Sequence, residues 1–220
     1  MPRIALNPET DILGVVDCQP DFMPGGALAV PQGDAILPVL ARLLEGPFVH
    51  AFATQDWHPA DHLSFASQHP GRAPFETVTM PYGEQTLWPN HCVQGTPGAA
   101  LHPGLPQARV ELIIRKGFHR AIDSYSTFFE NDRATTTGLA GWLRARGFRR
   151  VFLAGLATDY CVAFSAEDAV RLGFEVCVIE DACRGIGLPL PGGGTTLDAA
   201  RERLKAAGVR ILASGDVGGG

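Results

Sequence analysis

Cys161 lies in the stretch VFLAGLATDYCV, residues 151–162, just past an apolar run of strand length and a turn at Ala154-Gly155. Thr158 and Asp159 carry side-chain oxygens of the kind that start a helix. The thiol then falls in the first helical turn, where unpaired N–H groups and the positive dipole end favour a thiolate. A nucleophilic thiol needs a base to take its proton and a cation to steady the charges. Asp17, near the end of the apolar run ILGVVDC, is a candidate base if burial raises its pKa. Lys116 is a candidate cation. The chain holds 16 Arg but only two Lys, at 116 and 205, and an ammonium is the compact cation whose pKa shifts readily. The same three residues would also suit a buried ion pair beside a packing cysteine, with no chemistry.

A second group is Asp56, His58 and His91. Residues i and i+2 of an extended segment point the same way, so Asp56 and His58 face one cation together. One carboxylate and two imidazoles leave coordination positions open, as in working metal sites. His62 is either a further ligand or a donor to one, while His69 and His102, each followed by Pro, read as loop residues. The plain alternative is a hydrogen-bonded His–carboxylate pair. Phe22 stands five residues after Asp17 and Trp88 three before His91, two rings that could hold a flat aromatic substrate across a cleft.

Six apolar runs supply the strands that must position these groups: Ile12–Cys18, Phe48–Thr54, Glu111–Arg115, Arg150–Gly155, Phe174–Glu180 and Val209–Ala213. Helical patterns fall at Ala35–Glu45, Thr135–Arg146, Asp159–Leu172 and Thr195–Ala207. Alternation of strand and helix predicts a three-layer α/β/α fold around a six-stranded, mostly parallel, doubly wound sheet. Ligands on such sheets bind at strand carboxyl ends, and Asp17, Asp56, Lys116 and the turn before Cys161 all lie there. If the strand order is 3-2-1-4-5-6, Lys116 must reach past the second strand to meet Asp17. Residues 57–107 show no sustained period, and so long a loop in a compact domain is normally functional. Residues 215–220 read as a flexible tail.

The totals fit one domain of 220 residues, 45% apolar, able to bury a sizeable core. A net charge of −5 without blocks of like charge argues against nucleic acid and anionic membranes as partners. No signal core or membrane-length apolar run is present, which points to the cytoplasm. Five scattered cysteines without a C-x-x-C pair make neither a disulfide framework nor a zinc ribbon. Whether the chain forms a homo-oligomer is not legible.

The stretches VVDCQPDFMPGGALAV, ATQDWHPADHLSFASQHP, LWPNHCVQGTPGA, RKGFHRAIDSYSTFF and GLATDYCVAFSAEDA, followed by EDACRG, span residue 14 to about 185. In order and spacing they resemble the bacterial nicotinamidases, which also deamidate pyrazinamide, within the isochorismatase-like cysteine hydrolases. The resemblance implies that Cys161 is the nucleophile, Asp17 the general base and acid, and Lys116 their partner. It implies that Asp56, His58 and His91 bind a divalent metal, usually zinc, with iron or manganese as alternatives. It implies a cis peptide at Leu156–Ala157 that turns the N–H groups of Ala157 and Cys161 toward one point as an oxyanion hole. Phe22 and Trp88 match rings that clasp a pyridine, with Tyr125 a further wall and Leu156 beside the substrate. Two departures stand out: Pro20 where the family usually has Asn, and Cys18 where it has an aliphatic residue. Pro20 removes a donor next to the pocket. Related hydrolases of isochorismate, carbamoyl or ureido compounds are the rival reading, and generally lack the Asp/His/His set. A non-catalytic metal-binding protein is the other.

Overall fold

A computed structural model describes residues 3–218. Its centre is a parallel sheet of six strands: β1 (Asp11–Val16), β2 (Ala51–Asp56), β3 (Leu112–Lys116), β4 (Arg150–Leu156), β5 (Glu175–Arg184) and β6 (Arg210–Leu212), in the spatial order 3-2-1-4-5-6. β1 and β2 are buried along their whole length, as continuous apolar runs in a sheet covered on both faces require. β3 is the edge strand and alternates, with Ile113 and Arg115 exposed and Lys116 buried.

Four helices connect the strands: α1 (Leu37–Glu45), α2 (Leu139–Ala145), α3 (Ala163–Arg171) and α4 (Thr196–Ala206). From β1 the chain moves one way to β2, and from β4 the other way through β5 to β6. Right-handed crossovers therefore set α1 on one face and α3 and α4 on the other, where α3 and α4 pack together. β1 and β4 are neighbours at this change of direction. Their carboxyl ends form the crevice where such sheets take ligands.

Several boundaries differ from the sequence reading. Gln55 and Asp56 lie inside β2 rather than beyond it. α2 starts at Leu139, not Thr135. Thr135 instead folds around Asp132, which accepts hydrogen bonds from its N–H and hydroxyl, and Gly138 takes a left-handed φ of 88° before the helix. The long loop contains a hairpin, Thr77–Met80 against Gly83–Thr86. The expected tail is ordered as far as it is described. Ser214–Asp216 forms a 3-10 turn, and Val217–Gly218 pairs in parallel with Ile4–Ala5. Residues 219 and 220 of that expectation lie outside the described residues. No helix among the described residues is long and apolar enough to cross a membrane.

Candidate active site

Asp17 directly follows β1 in a left-handed conformation, φ 46°. Its N–H donates to Thr54 Oγ1 (3.1 Å), and the Thr54 hydroxyl donates back to Oδ1 at 2.6 Å. Lys116 ends β3 in register with Asp56 of β2. Its ammonium extends over β2, pairing with Asp56 Oδ1 and reaching Asp17 Oδ2 at 2.8 Å. The reach across two strand spacings, roughly 10 Å, is thus met by an extended lysine and an aspartate leaning toward it. The same ammonium donates to the Ser124 carbonyl (2.9 Å) and lies 3.4 Å from Cys161 Sγ. Asp17, Asp56 and Cys161 bring one oxygen or sulfur each within 4.8 Å of one another. All four side chains are buried.

Burial dominates the electrostatics. It raises the pKa of Asp17 against the opposing pull of Lys116. For Lys116, desolvation is outweighed by Asp17 and Asp56, which hold the ammonium charged well above its ordinary range. Burial also pushes the Cys161 thiol well up, although Lys116 pulls the other way. The expectation that the first helical turn would favour a thiolate is therefore corrected. Desolvation exceeds the benefit of a helix end, and the resting group is a thiol. Nor do Thr158 and Asp159 cap the helix. Ala157 occupies the N-cap without a side-chain bond, and Thr158–Val162 is a π turn, with Val162 N–H donating to Ala157 O. Asp159 instead accepts from the N–H groups of Ile186 (2.9 Å) and Gly187 (2.8 Å).

The Leu156–Ala157 peptide is cis. The Ala157 N–H donates to no acceptor among the described residues, and Ala157 lines the same slot as Cys161. Leu156 does not line it: its side chain is fully buried and turned toward Gly33, in the core. Phe22, Trp88, Tyr125, Tyr160 and Ile186 form the aromatic and apolar walls of the slot. The Phe22 and His91 ring centroids are 5.5 Å apart. Pro20 opens the 3-10 turn Pro20–Phe22 that carries this ring, a position where its missing N–H costs nothing. Trp88 Nε1–H and Gln85 Nε2–H both donate to the Tyr125 hydroxyl, at 3.2 and 2.9 Å.

Beside the slot, Asp56 Oδ2 lies 3.8 Å from His58 Nε2 and 3.7 Å from His91 Nε2. The two rings are oriented from behind. His58 Nδ1–H donates to the Gly117 carbonyl (2.9 Å) and His91 Nδ1–H to the Pro89 carbonyl (2.8 Å). That fixes the tautomer and leaves both Nε2 lone pairs directed inward. His58 Nε2 is buried without a hydrogen-bond partner. Gly117 must lack a side chain: at φ 64° a Cβ there would lie 2.3 Å from His58 Cε1. Two bare imidazole nitrogens and an ionised carboxylate, with Lys116 helping hold the Asp56 pKa well below its ordinary value, fit a divalent cation. Both His62 nitrogens are engaged, Nδ1 with Ser64 and Nε2 with the Ile122 carbonyl, so His62 buttresses His58 from 4.4 Å between rings.

Several residues escaped the sequence reading. Thr54 shares the Asp17 carboxylate, and Gln19 clamps the Asp56 backbone through both its N–H and its carbonyl. Asp123 lines the slot 4.0 Å from His58 Nε2, and Tyr160 and Ile186 form walls. Tyr160 adjoins Cys161 and was within reach of inspection. The others meet their partners across long sequence separations that no local pattern signals.

An isochorismatase domain model matches residues 11–214. A nicotinamidase from Acinetobacter baylyi is 50% identical over 203 residues, which cover 92% of this chain and 92% of that one. Among solved structures, an Acinetobacter baumanii nicotinamidase/pyrazinamidase aligns with a TM-score of 0.90 at 49% identity, covering 96% of this chain and 99% of the other. PnC1 from L. infantum, in complex with nicotinate, aligns at 0.85 and 39% identity over 99% and 100% of the two chains. The pyrazinamidase of Pyrococcus horikoshii, in complex with zinc, aligns at 0.72 and 38% identity over 94% and 99%.

Proposed function

The chain belongs to the isochorismatase family, and we propose that it works as a nicotinamidase, hydrolysing nicotinamide to nicotinate and ammonia, and pyrazinamide likewise, as a step of NAD salvage. The observation that carries this reading is one ammonium, Lys116, touching both Asp17 and Cys161 beside a donor set of Asp56, His58 and His91.

Because burial keeps the resting thiol protonated, the nucleophile has to be made at the moment of reaction. Asp17 takes the thiol proton as sulfur attacks the amide carbon. The negative charge passes from carboxylate to sulfur between two contacts of the same ammonium. The Ala157 N–H, free of other acceptors, faces the oxyanion that forms, a contact worth on the order of 3 kcal/mol per donor. Asp17 returns the proton to the leaving ammonia, and a Cys161 thioester remains. Asp17 next takes a proton from water, whose hydroxide displaces the thiolate to give nicotinate, and Cys161 recovers its proton. Phe22, Trp88 and Tyr125 hold the ring flat and exclude bulk water. Asp56, His58 and His91 would hold a divalent cation, zinc in the first instance, which supplies a Lewis-acid contact for the ring nitrogen. The same donor set supports this reading over hydrolysis of isochorismate or carbamoyl compounds. Five free buried thiols fit the reducing cytoplasm.

Ammonia release from nicotinamide tests the reading. Wild-type protein should lose activity on chelation and regain it when zinc, iron or manganese is restored. Cys161→Ala should fall more than about 10³-fold while still binding nicotinate. Undiminished release by Cys161→Ala would sink the mechanism.

A further inference from the structure

One buried ionisable group has neither a partner nor a part in the chemistry above. Glu130, between β3 and α2, is only 6% exposed. Its Oε2 is sealed from solvent without a hydrogen bond, and no salt bridge reaches either oxygen among the described residues. Burial, reinforced by Asp132 and Asp123, lifts its pKa to about 7. Buried carboxyl oxygens are nearly always hydrogen-bonded, so an unbonded one calls for an explanation.

Glu130 lines a crevice distinct from the substrate slot. Glu84 and Asp168 add two further carboxyl groups; Asp168 is already paired with Arg133 at 3.2 Å and Arg171 at 3.0 Å, and Glu84 has no ion pair among the described residues. The remaining wall is largely aromatic, from Tyr82, Phe129 and Phe164, the last already covered by the Arg133 and Arg203 guanidinium groups at 5.8 and 5.5 Å from its ring centre. Two unpaired carboxyl groups, Glu130 and Glu84, beside the rings of Tyr82 and Phe129 make an arrangement that holds cations. A desolvated alkali cation needs many oxygen ligands, which rings do not supply. A cation built of N–H donors is satisfied by a few acceptors and by the rings themselves. Tyr125 lines both the crevice and the slot that holds Cys161, so the two spaces share a wall.

We propose that this crevice binds ammonium, the cation formed when the ammonia released at Cys161 takes a proton from water, with Glu130 as the anchoring carboxylate. The choice of ligand rests on the nicotinamidase reading. The site would collect product cation next to the slot and leave the pyridine ring's walls untouched.

Thermal unfolding tests this without turnover. Wild-type and Glu130→Gln proteins are titrated at pH 8 with ammonium chloride, and in parallel with potassium chloride and sodium chloride at matched ionic strength. Glutamine keeps the side-chain shape, removes the charge and turns one acceptor oxygen into a donor. Ammonium should raise the wild-type Tm above the sodium control, by about 3 °C at ten times its Kd, and should not do so in Glu130→Gln. Equal ammonium responses in the two proteins would remove Glu130 from the site. A potassium response matching that of ammonium would overturn the assignment of the product cation, and no response to either would overturn the site. Failure of the nicotinamidase reading would appear in the ammonia-release assay and leave these titrations as they are.

Discussion

Asp56 divides its carboxylate between two tasks. One oxygen pairs with Lys116, and the other faces the free Nε2 atoms of His58 and His91. Asp17 has a different balance. Its Oδ2 has the Lys116 ion pair but no well-aligned hydrogen bond, leaving that oxygen open to a proton. Burial raises its pKa, so the base form appears only above the ordinary carboxylate range. The acid limb of kcat/KM should therefore lie above 3.8 and rise with pH as Asp17 ionises, while Lys116 stays protonated. Asp17→Asn should lower kcat/KM by roughly 10²–10⁴-fold and abolish that limb. An unchanged acid limb in the variant would assign the titration to another group. Linkage gives the opposite sign for stability. A carboxyl whose folded pKa is raised binds its proton more tightly in the native state. Its contribution is greatest at low pH and is lost as pH climbs from 3.8 through the raised value. The site gains a usable base at some expense of stability.

At the level of elements, each catalytic group is delivered by a strand end. Asp17, Asp56 and Lys116 were legible there because the runs ILGVV, AFAT and LII have the apolar character of strands and give way to polar or charged residues. The partners of those groups were not legible. Thr54 meets Asp17 across 37 residues of sequence, and Asp159 meets Ile186 across 27. The hairpin of residues 77–86 was missed for a different reason: its strands are largely exposed and polar, so no buried face imposes a period. The π turn was hidden as well, since TDYCV reads as an ordinary helix start. Gly155 shows how tightly the nucleophile turn is set. It has φ 127°, and a Cβ there would lie 2.1 Å from the Val16 carbonyl oxygen. The register with β5 also shifts at this point. Gly155→Ala combines a forbidden conformation with a backbone clash between β1 and β4. It should cost about 3 kcal/mol or more, seen as a lower urea midpoint. A midpoint within error of wild type would show that the two strands part freely.

The whole sheet explains why residues from four strands meet. The order 3-2-1-4-5-6 brings β1 and β4 together at the centre, so Asp17 and Cys161 approach from adjacent strands. Lys116 comes from the edge and must be long. An arginine-rich chain keeps one of its two lysines for this position, and that compositional signal was readable before any fold was known. Closure of the molecule was not readable. The short pairing of Ile4–Ala5 with Val217–Gly218 has too few residues to leave a pattern.

That pairing makes the order of the chain separable from its architecture. With residues 4 and 217 in register, a linker of a few residues would join Gly218 back to Ile4. New ends could be opened between Gly192 and Gly193, in an exposed turn held by bonds between Leu190, Gly193 and Gly194. Such a circular permutant should unfold in one cooperative transition and release ammonia from nicotinamide. A non-cooperative transition would show that the two terminal strands do more than pair with each other. If it folds, the active site depends on where the strands stand and not on the order in which they are made.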